Sequence, residues 1–352
     1  MSKPLQQRFL ATKTVASSGS TISTTQPGVQ VVSDGLPVGD EAIYALTLRT
    51  RGNLNLTASA GGTAVTNGHL TNLRNLSIET DKHNIIVDGI DGLGLYRLNQ
   101  LDGLTAPDDL AVSTVTTGTP AFDACFKIPF ADPRFIRPYD TLLDMLKSRM
   151  TIKATFGIAA DFVTGGTYSV QEIQNLSLDV AGKIIRNPNP VSANVGGVEI
   201  SQELPILQRS IEVRKFDINQ TSTGLKLPLP YGDRIYRRIV VMQRNASTLA
   251  ELATVITATQ NVGIEINGFP WIQSLPFGLI NAQNKQEFQL ETLPTSLAVF
   301  DFGGEGKIGD MLNTLSDNQG TMNLVADVTS VSNGQVWVIC DCLKPIPPSA
   351  RR

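Results

Sequence analysis

Two stretches decide the reading of this chain: FKIPFADPRFIRP at residues 126–138 and LKLPLPYGDRIYRR at residues 225–238. Each sets out Lys, an apolar residue, Pro and an apolar residue in order, at Lys127 to Phe130 and at Lys226 to Leu229. Each then carries acid and base: Asp132, Arg134 and Arg137 in the first, Asp233, Arg234 and Arg237 in the second. Lys127 and Lys226 stand 99 residues apart. Proline offers no N–H, so within a strand run it belongs at a sheet edge, a strand end or a bulge. Its recurrence in both halves predicts one β architecture used twice.

Outward from these stretches the pattern has period two. In AIYALTLRTRGNLNLTA, from Ala42, Leu46, Leu48, Leu54 and Leu56 alternate with polar residues. Further strand-like runs are LRNLSIET (73–80), HNIIVDGI (83–90), LAVSTVTT (110–117), FDACFKIPF (122–130), MTIKATFGI (150–158) and YSVQEIQNLSLDVAG (168–182). LPILQRSIEVRKFDI (204–218) and VGIEINGF (262–269) continue the series. Such alternation marks half-buried strands, and the Gly, Pro, Asn and Asp clusters between them mark turns. Helical signals are short. Capped helices are expected from Asp140 (DTLLDMLKS) and from Ser247 (STLAELATVI), with weaker candidates at 94–101 and 308–315.

The segment RNPNPVSANVGG (186–197), with two prolines, three asparagines and two glycines, reads as the linker. The expected organisation is therefore an N-terminal arm at 1–28, a first unit at 29–195 and a second at 196–352 that includes a C-terminal tail. Many short strands with frequent turns predict an all-β fold of two tandem jelly-roll sandwiches with a few short helices.

Composition narrows the function. Charged residues are 17% of the 352 and the net charge is −3, which argues against a nucleic-acid binder with an overall basic surface. No sequence-specific nucleic acid is expected as a partner. No apolar run reaches about 18 residues, so no spanning helix is expected, and no secretory signal is visible. Three cysteines, Cys125, Cys340 and Cys342, make no disulfide framework. The arm holds Lys3, Arg8 and Lys13 and no acid, so it carries +3 while the remainder carries −6. A Ser/Thr/Gly-rich stretch of this kind does not bury enough apolar surface to fold alone.

The FKIPFADPRFIRPYDTLLDMLKSRMTIKATFG run (126–157), the LKLPLPYGDRIYRRIVV run (225–241) and the closing GQVWVICDCLKPIPPSA strand (334–350) resemble major capsid proteins of the double jelly-roll lineage. These belong to tailless icosahedral viruses, tectiviruses and corticoviruses among them. The resemblance implies two upright jelly rolls per chain, homotrimers that look hexagonal, and shells tiled by such trimers. Partners would be other copies of the chain, minor capsid and penton proteins, and an internal lipid membrane. In members with such a membrane the arm reaches inward, so Lys3, Arg8 and Lys13 are the candidate residues for contact with the interior or with lipid.

Catalytic and metal patterns are sparse. His69, in a Gly/Thr/Asn loop, and His83, in a turn, are expected at the surface or in hydrogen bonds; no HExxH spacing exists. On a strand Cys340 and Cys342 would share a face with Val336 and Val338, opposite Trp337, Ile339 and Asp341, and read as buried structural residues. GGEGKIGD (303–310) lacks the Walker pattern and GIDGLG (89–94) lacks dinucleotide spacing, so both read as turns. Asp88, Asp91, Asp301 and Glu305 stand as carboxylates without a defined pairing. No cofactor is expected; structural calcium stays open with no ligand assigned. A glycan-binding or glycan-acting double β-sandwich and another phage structural protein, of spike or tail, are the alternatives.

Overall fold

The computed structural model describes residues 6–14, 22–23, 30–32, 36–38, 41–81, 84–104, 110–131, 142–145, 148–186, 193–195, 198–200, 207–303, 311–315 and 320–346. The chain divides into two compact units. One comprises Met1–Pro133, Arg137–Gln208 and Ile346–Arg352; the other comprises Arg134–Ile136 and Arg209–Pro345.

The first unit opens with β1 (Gln6–Thr14), β2 (Ile22–Ser23), β3 (Gln30–Val32), β4 (Leu36–Val38) and the long β5 (Glu41–Ala60). β6 (Thr63–Ala64), helix α1 (Gly68–Thr71), β7 (Leu73–Thr80), β8 (Asn84–Ile90) and helix α2 (Gly92–Leu101) follow. Then come β9 (Ala121–Pro129), β10 (Leu143–Asp144), β11 (Ser148–Phe156), β12 (Val163–Thr164) and β13 (Thr167–Arg186). A small pair, β14 (Ala193–Val195) and β15 (Val198–Ile200), closes the unit. One sheet runs β1-β13-β5, with β9 and β10 sharing the far side of β5. The other runs β8-β7-β11, with β3 and β4 in succession along β11. Burial follows the predicted alternation. In β7, Leu76, Ile78 and Thr80 are buried, and in β9 Phe122, Ala124, Phe126 and Ile128 are.

The second unit consists of β16 (Leu207–Asp217), β17 (Ser222–Leu229), β18 (Ile235–Asn245), β19 (Asn261–Ile266), β20 (Phe269–Pro276), helix α3 (Phe277–Glu287), β21 (Leu297–Asp301), β22 (Leu312–Asn313), β23 (Met322–Val328) and β24 (Gly334–Pro345). Its sheets are β16-β24-β18-β21 and β17-β23-β19-β20. They face each other across one apolar core. Tyr236, Ile239, Val241, Val336, Val338, Cys340 and Cys342 come from one sheet, Leu227, Leu229, Val262, Ile264, Leu324 and Ala326 from the other.

Both units share one strand order. Counting main strands along each unit (β1, β3 with β4, β5, β7, β8, β9, β11, β13; then β16, β17, β18, β19, β20, β21, β23, β24), one sheet joins first, eighth, third and sixth. The other joins second, seventh, fourth and fifth. This is the jelly-roll order, used twice in tandem. The repeat is real, but the residues that suggested it are not equivalent: Lys127 lies on the sixth strand of its unit and Lys226 on the second. The proline rule does hold. Pro129 ends β9, and Pro228 lies on β17, an edge strand of its sheet.

Several expected elements differ. Leu143–Asp144, inside the helix expected from Asp140, instead pair with Ile43 and Ala42 of β5. Asp140 itself lies outside the described residues. An isolated stretch of nine residues is too short to hold a helix by propensity, and a sheet edge captures it. After Ser247 there is no helix either. Asn245 Oδ1 accepts from the N–H groups of Ser247 and Thr248 at 2.9 and 3.0 Å, and Leu249 adopts φ 56°. A side-chain acceptor that captures the first amides diverts the backbone into a turn. Of the 308–315 candidate, the described part contains β22. The 110–117 run is irregular: Val112 and Val115 are buried three residues apart, which breaks the period of two. Only 94–101 is helical as expected, within α2, where Asp91 caps Gly94 N–H at 2.8 Å. Helix α3, unforeseen, carries its buried residues at Phe277, Ile280, Asn281 and Asn284.

Candidate functional site

The candidate arm residues are placed as follows. Lys3 lies outside the described residues. Arg8 and Lys13 lie in β1, at register positions opposite Gly182 and Leu178 of β13. Residues 6–14 are thus part of the first unit's sheet and not a free segment. β1 supplies the outermost strand beside β13, and a register shift between Phe9 and Ala11 interrupts the ladder.

His69 is buried, on α1 and not on a loop surface, and desolvation lowers its pKa. His83 and Glu305 lie outside the described residues. So does GGEGKIGD beyond Gly303. GIDGLG is not the turn its pattern suggested: Gly89, with φ of 75°, lies within β8 where the register with β7 shifts, and Gly92 and Gly94 lie in α2. Asp91 is the α2 cap, Asp301 accepts from Gly303 N–H at 3.0 Å, and Asp88 is exposed on β8. These carboxylates have separate structural surroundings. Among the described residues, no three His, Cys, Asp or Glu side chains are grouped to hold a metal ion.

Cys340 and Cys342 face the core beside Val336 and Val338, as their spacing implied. Burial pushes the Cys342 thiol up to about 12 and raises Cys340 also, so both remain protonated, poor nucleophiles.

The opposite face of β24 holds what residue patterns did not reveal. Asp341 is wholly buried, and three guanidinium groups converge on it. Arg209 of β16 donates through Nε and Nη2, both at 2.8 Å, in a two-toothed fork. Arg237 of β18 donates through Nη1 to both carboxylate oxygens at 3.1 and 2.9 Å, and Arg238 donates through Nε at 3.1 Å. The side chains of all four are at most 3% exposed. Burial alone would raise the Asp341 pKa, but the three positive charges outweigh it and hold the carboxyl far below the usual range. A second carboxylate, Glu212 of β16, accepts from Arg234 at 2.9 Å and pairs with Arg214. Burial opposes its charge too, and Arg234 with its neighbours lowers its pKa overall. Trp337 lies between Lys215, 4.0 Å from its ring centroid, and Arg244, 4.8 Å away. The signal for this cluster was present: a lone acid in VWVICDCL and adjacent arginines in IYRRIVV. A buried acid requires partners, but only register shows which ones.

Among strand edges, that of β20 stands out. Phe269 is 76% exposed and Trp271 61% exposed, while Ile272 and Leu275 pack against the core. Asn267 and Gly268, with φ of 53° and 81°, make the two-residue turn from β19. Two positive φ values here give the turn whose twist suits a hairpin. The register moves from Ile264 opposite Ile272 to Glu265 opposite Pro270, so Trp271 is the extra residue of a bulge. A Cβ on Gly263 would come within 2.7 Å of Ile272 O, so the bulged strand needs glycine there.

No protein-family model and no curated protein sequence matches this chain. Its fold matches solved structures along nearly its whole length. The structure of Sulfolobus turreted icosahedral virus matches with a TM-score of 0.65 at 12% identity, covering 97% of this chain and 91% of that one. The major capsid protein P2 of bacteriophage PM2 matches at 0.56 and 13%, covering 97% and 98%. The PBCV-1 virus capsid matches at 0.56 and 11%, covering 97% and 93%. At such identities the likeness is one of fold: the double jelly roll.

Proposed function

We propose that this chain is the major capsid protein of an icosahedral virus and has a structural, non-enzymatic role. The observation that carries the reading is the end-to-end match of fold. Both jelly rolls, in order, cover almost all of this chain and almost all of capsid proteins from different viruses. In this reading three copies form a capsomer of hexagonal outline and capsomers tile the shell. The basic N-terminal residues Lys3, Arg8 and Lys13 face the virion interior or an internal membrane. Minor capsid and penton proteins would complete the particle. Of the extents expected at 29–195 and 196–352, the first is proposed to be extended by β1 (Gln6–Thr14), and the boundary between the jelly rolls to lie close to Arg209.

The sparse charge of the chain supports this role. Identical copies packed edge to edge repel if they carry large fields of one sign, and 17% charged residues keeps such fields small. The test is direct. Purified protein analysed by light scattering should show three times the 37.9 kDa of one chain, and electron micrographs should show shells or sheets of hexagonal capsomers. A protein that stays monomeric across salt and pH would overturn the assignment.

A further inference from the structure

We propose that the tip of the β19–β20 hairpin, through Phe269 and Trp271, is a contact by which one copy of this chain docks on a neighbouring copy. The inference rests on the shell-forming reading above and names a surface that serves it.

Two large aromatic side chains stand in solvent beside a turn that holds them rigidly. They sit in a stretch without charge, since no Asp, Glu, Lys or Arg occurs from Ile266 through Asn284. The nearest charges in the sheet, Lys226 and Glu265, neutralise each other at 2.7 Å. Helix α3 follows β20 without a gap and adds Leu279, 46% exposed. Aromatic residues with depleted charge are the composition of an interface centre, and a rigid, water-excluding Trp is the commonest anchor.

The occupant follows from charge and backbone. Outside its first 28 residues the chain carries −6. Two identical acidic bodies approach at least cost where neither presents a charge, and this tip is such a place. An anionic lipid surface would instead call for Lys or Arg on the tip, and there are none. Strand addition is also blocked. Pro270 and Pro276 supply no N–H to a further strand, and the shift at Trp271 breaks the ladder. The contact is therefore one of side chains entering a recess, and in a ring of three copies it joins two different surfaces.

The chain contains two tryptophans, which makes the test possible on unaltered protein. Trp337 is 1% exposed and Trp271 is 61% exposed. Acrylamide quenching of fluorescence should be strong in dissociated subunits and should fall several-fold on assembly, with a shift of emission to the blue. The W271F protein, reporting Trp337 alone, should show neither change. The double variant F269S/W271S should keep the circular dichroism and thermal midpoint of the wild type and weaken self-association by about tenfold or more. The pair F269Y/W271F should restore most of it. If wild-type protein assembles while Trp271 stays fully quenchable, or if the serine variant assembles unchanged, the docking inference is overturned and the capsid reading stands. If glycan binding is what the serine variant loses, with assembly intact, the tip is a ligand platform and the inference is likewise overturned. If wild-type protein never associates, the capsid reading itself falls, and the inference with it.

Discussion

Asp341 shows how one side chain can hold three strands together. Its partners come from β16 and β18, the strands on either side of β24. Replacing it with Asn keeps the shape but removes the negative charge that three buried guanidinium groups share. Breaking a buried ion pair from one side typically costs about 3–5 kcal/mol. D341N should therefore lower the denaturation midpoint of the purified protein by an amount of that order, measured by chemical unfolding. An unchanged midpoint would show that the arginines do not depend on this carboxylate.

The pH dependence has a definite sign. Asp341 and Glu212 have pKa values lowered in the folded state. Their contribution is complete above the unfolded carboxylate values of about 4 and is lost as pH falls below them. His69 is also lowered, by burial. The unfolded state therefore takes up its proton first, and stability declines as pH falls below about 6.5. Unfolding free energy should be flat near pH 7–8, bend downward gently below pH 6.5 and fall steeply below pH 4. H69Q should remove the first bend and D341N should soften the second.

At the scale of elements, alternation was the signal the chain carried most clearly. LRNLSIET spans β7 from end to end, and FDACFKIPF and MTIKATFGI lie within one or two residues of β9 and β11. Period two is imposed by having one buried face, so it survives in sequence. Short helices are not encoded so locally. Whether STLAELATVI coils or turns is decided by Asn245, a neighbour outside the run. LAVSTVTT carries a misleading alternation because its buried valines serve a loop, tied down where Tyr168 Oη donates to Val115 O. Pairing between strands depends on residues more than a hundred positions apart, so the lone acid and the adjacent arginines were visible locally but their meeting at Asp341 was not.

The same scale gives a prediction for β1. Its polar, Ser/Thr-flanked sequence reads as an arm, but its backbone forms a ladder with Thr14–Gln6 opposite Ser177–Ile184. Each such hydrogen bond contributes about 1 kcal/mol net, and an uncovered β13 would present a long strand edge. Deleting residues 1–14 should cost several kcal/mol and cut soluble yield several-fold, as judged by unfolding curves and sedimentation. Full solubility and stability after the deletion would mean that this strand is dispensable for the fold.

For the molecule as a whole, the repeated strand order matters more than any residue. Two units with the same connectivity arise from different sequences, so the strand order is kept while the residues that fill it change. The low share of charge also takes on meaning at this scale: under the proposed shell role, it keeps fields of one sign small on the surfaces that would face other copies.

The position of β24 has a consequence for synthesis. It is the last strand of the second unit, yet it lies between the first and third of them, β16 and β18. While the ribosome is still translating, Arg209, Arg237 and Arg238 have emerged but Asp341 has not, and the slot between those strands stays empty. The second unit's sheet is closed only by the twelve residues of β24, so a chain that stops before them has no route to that sheet. Protein stopped before Gly334 should be digested rapidly by protease across 209–333, while full-length protein resists. Arrival of β24 then acts as a folding checkpoint, and chains stopped before it are marked by their open sheet for degradation.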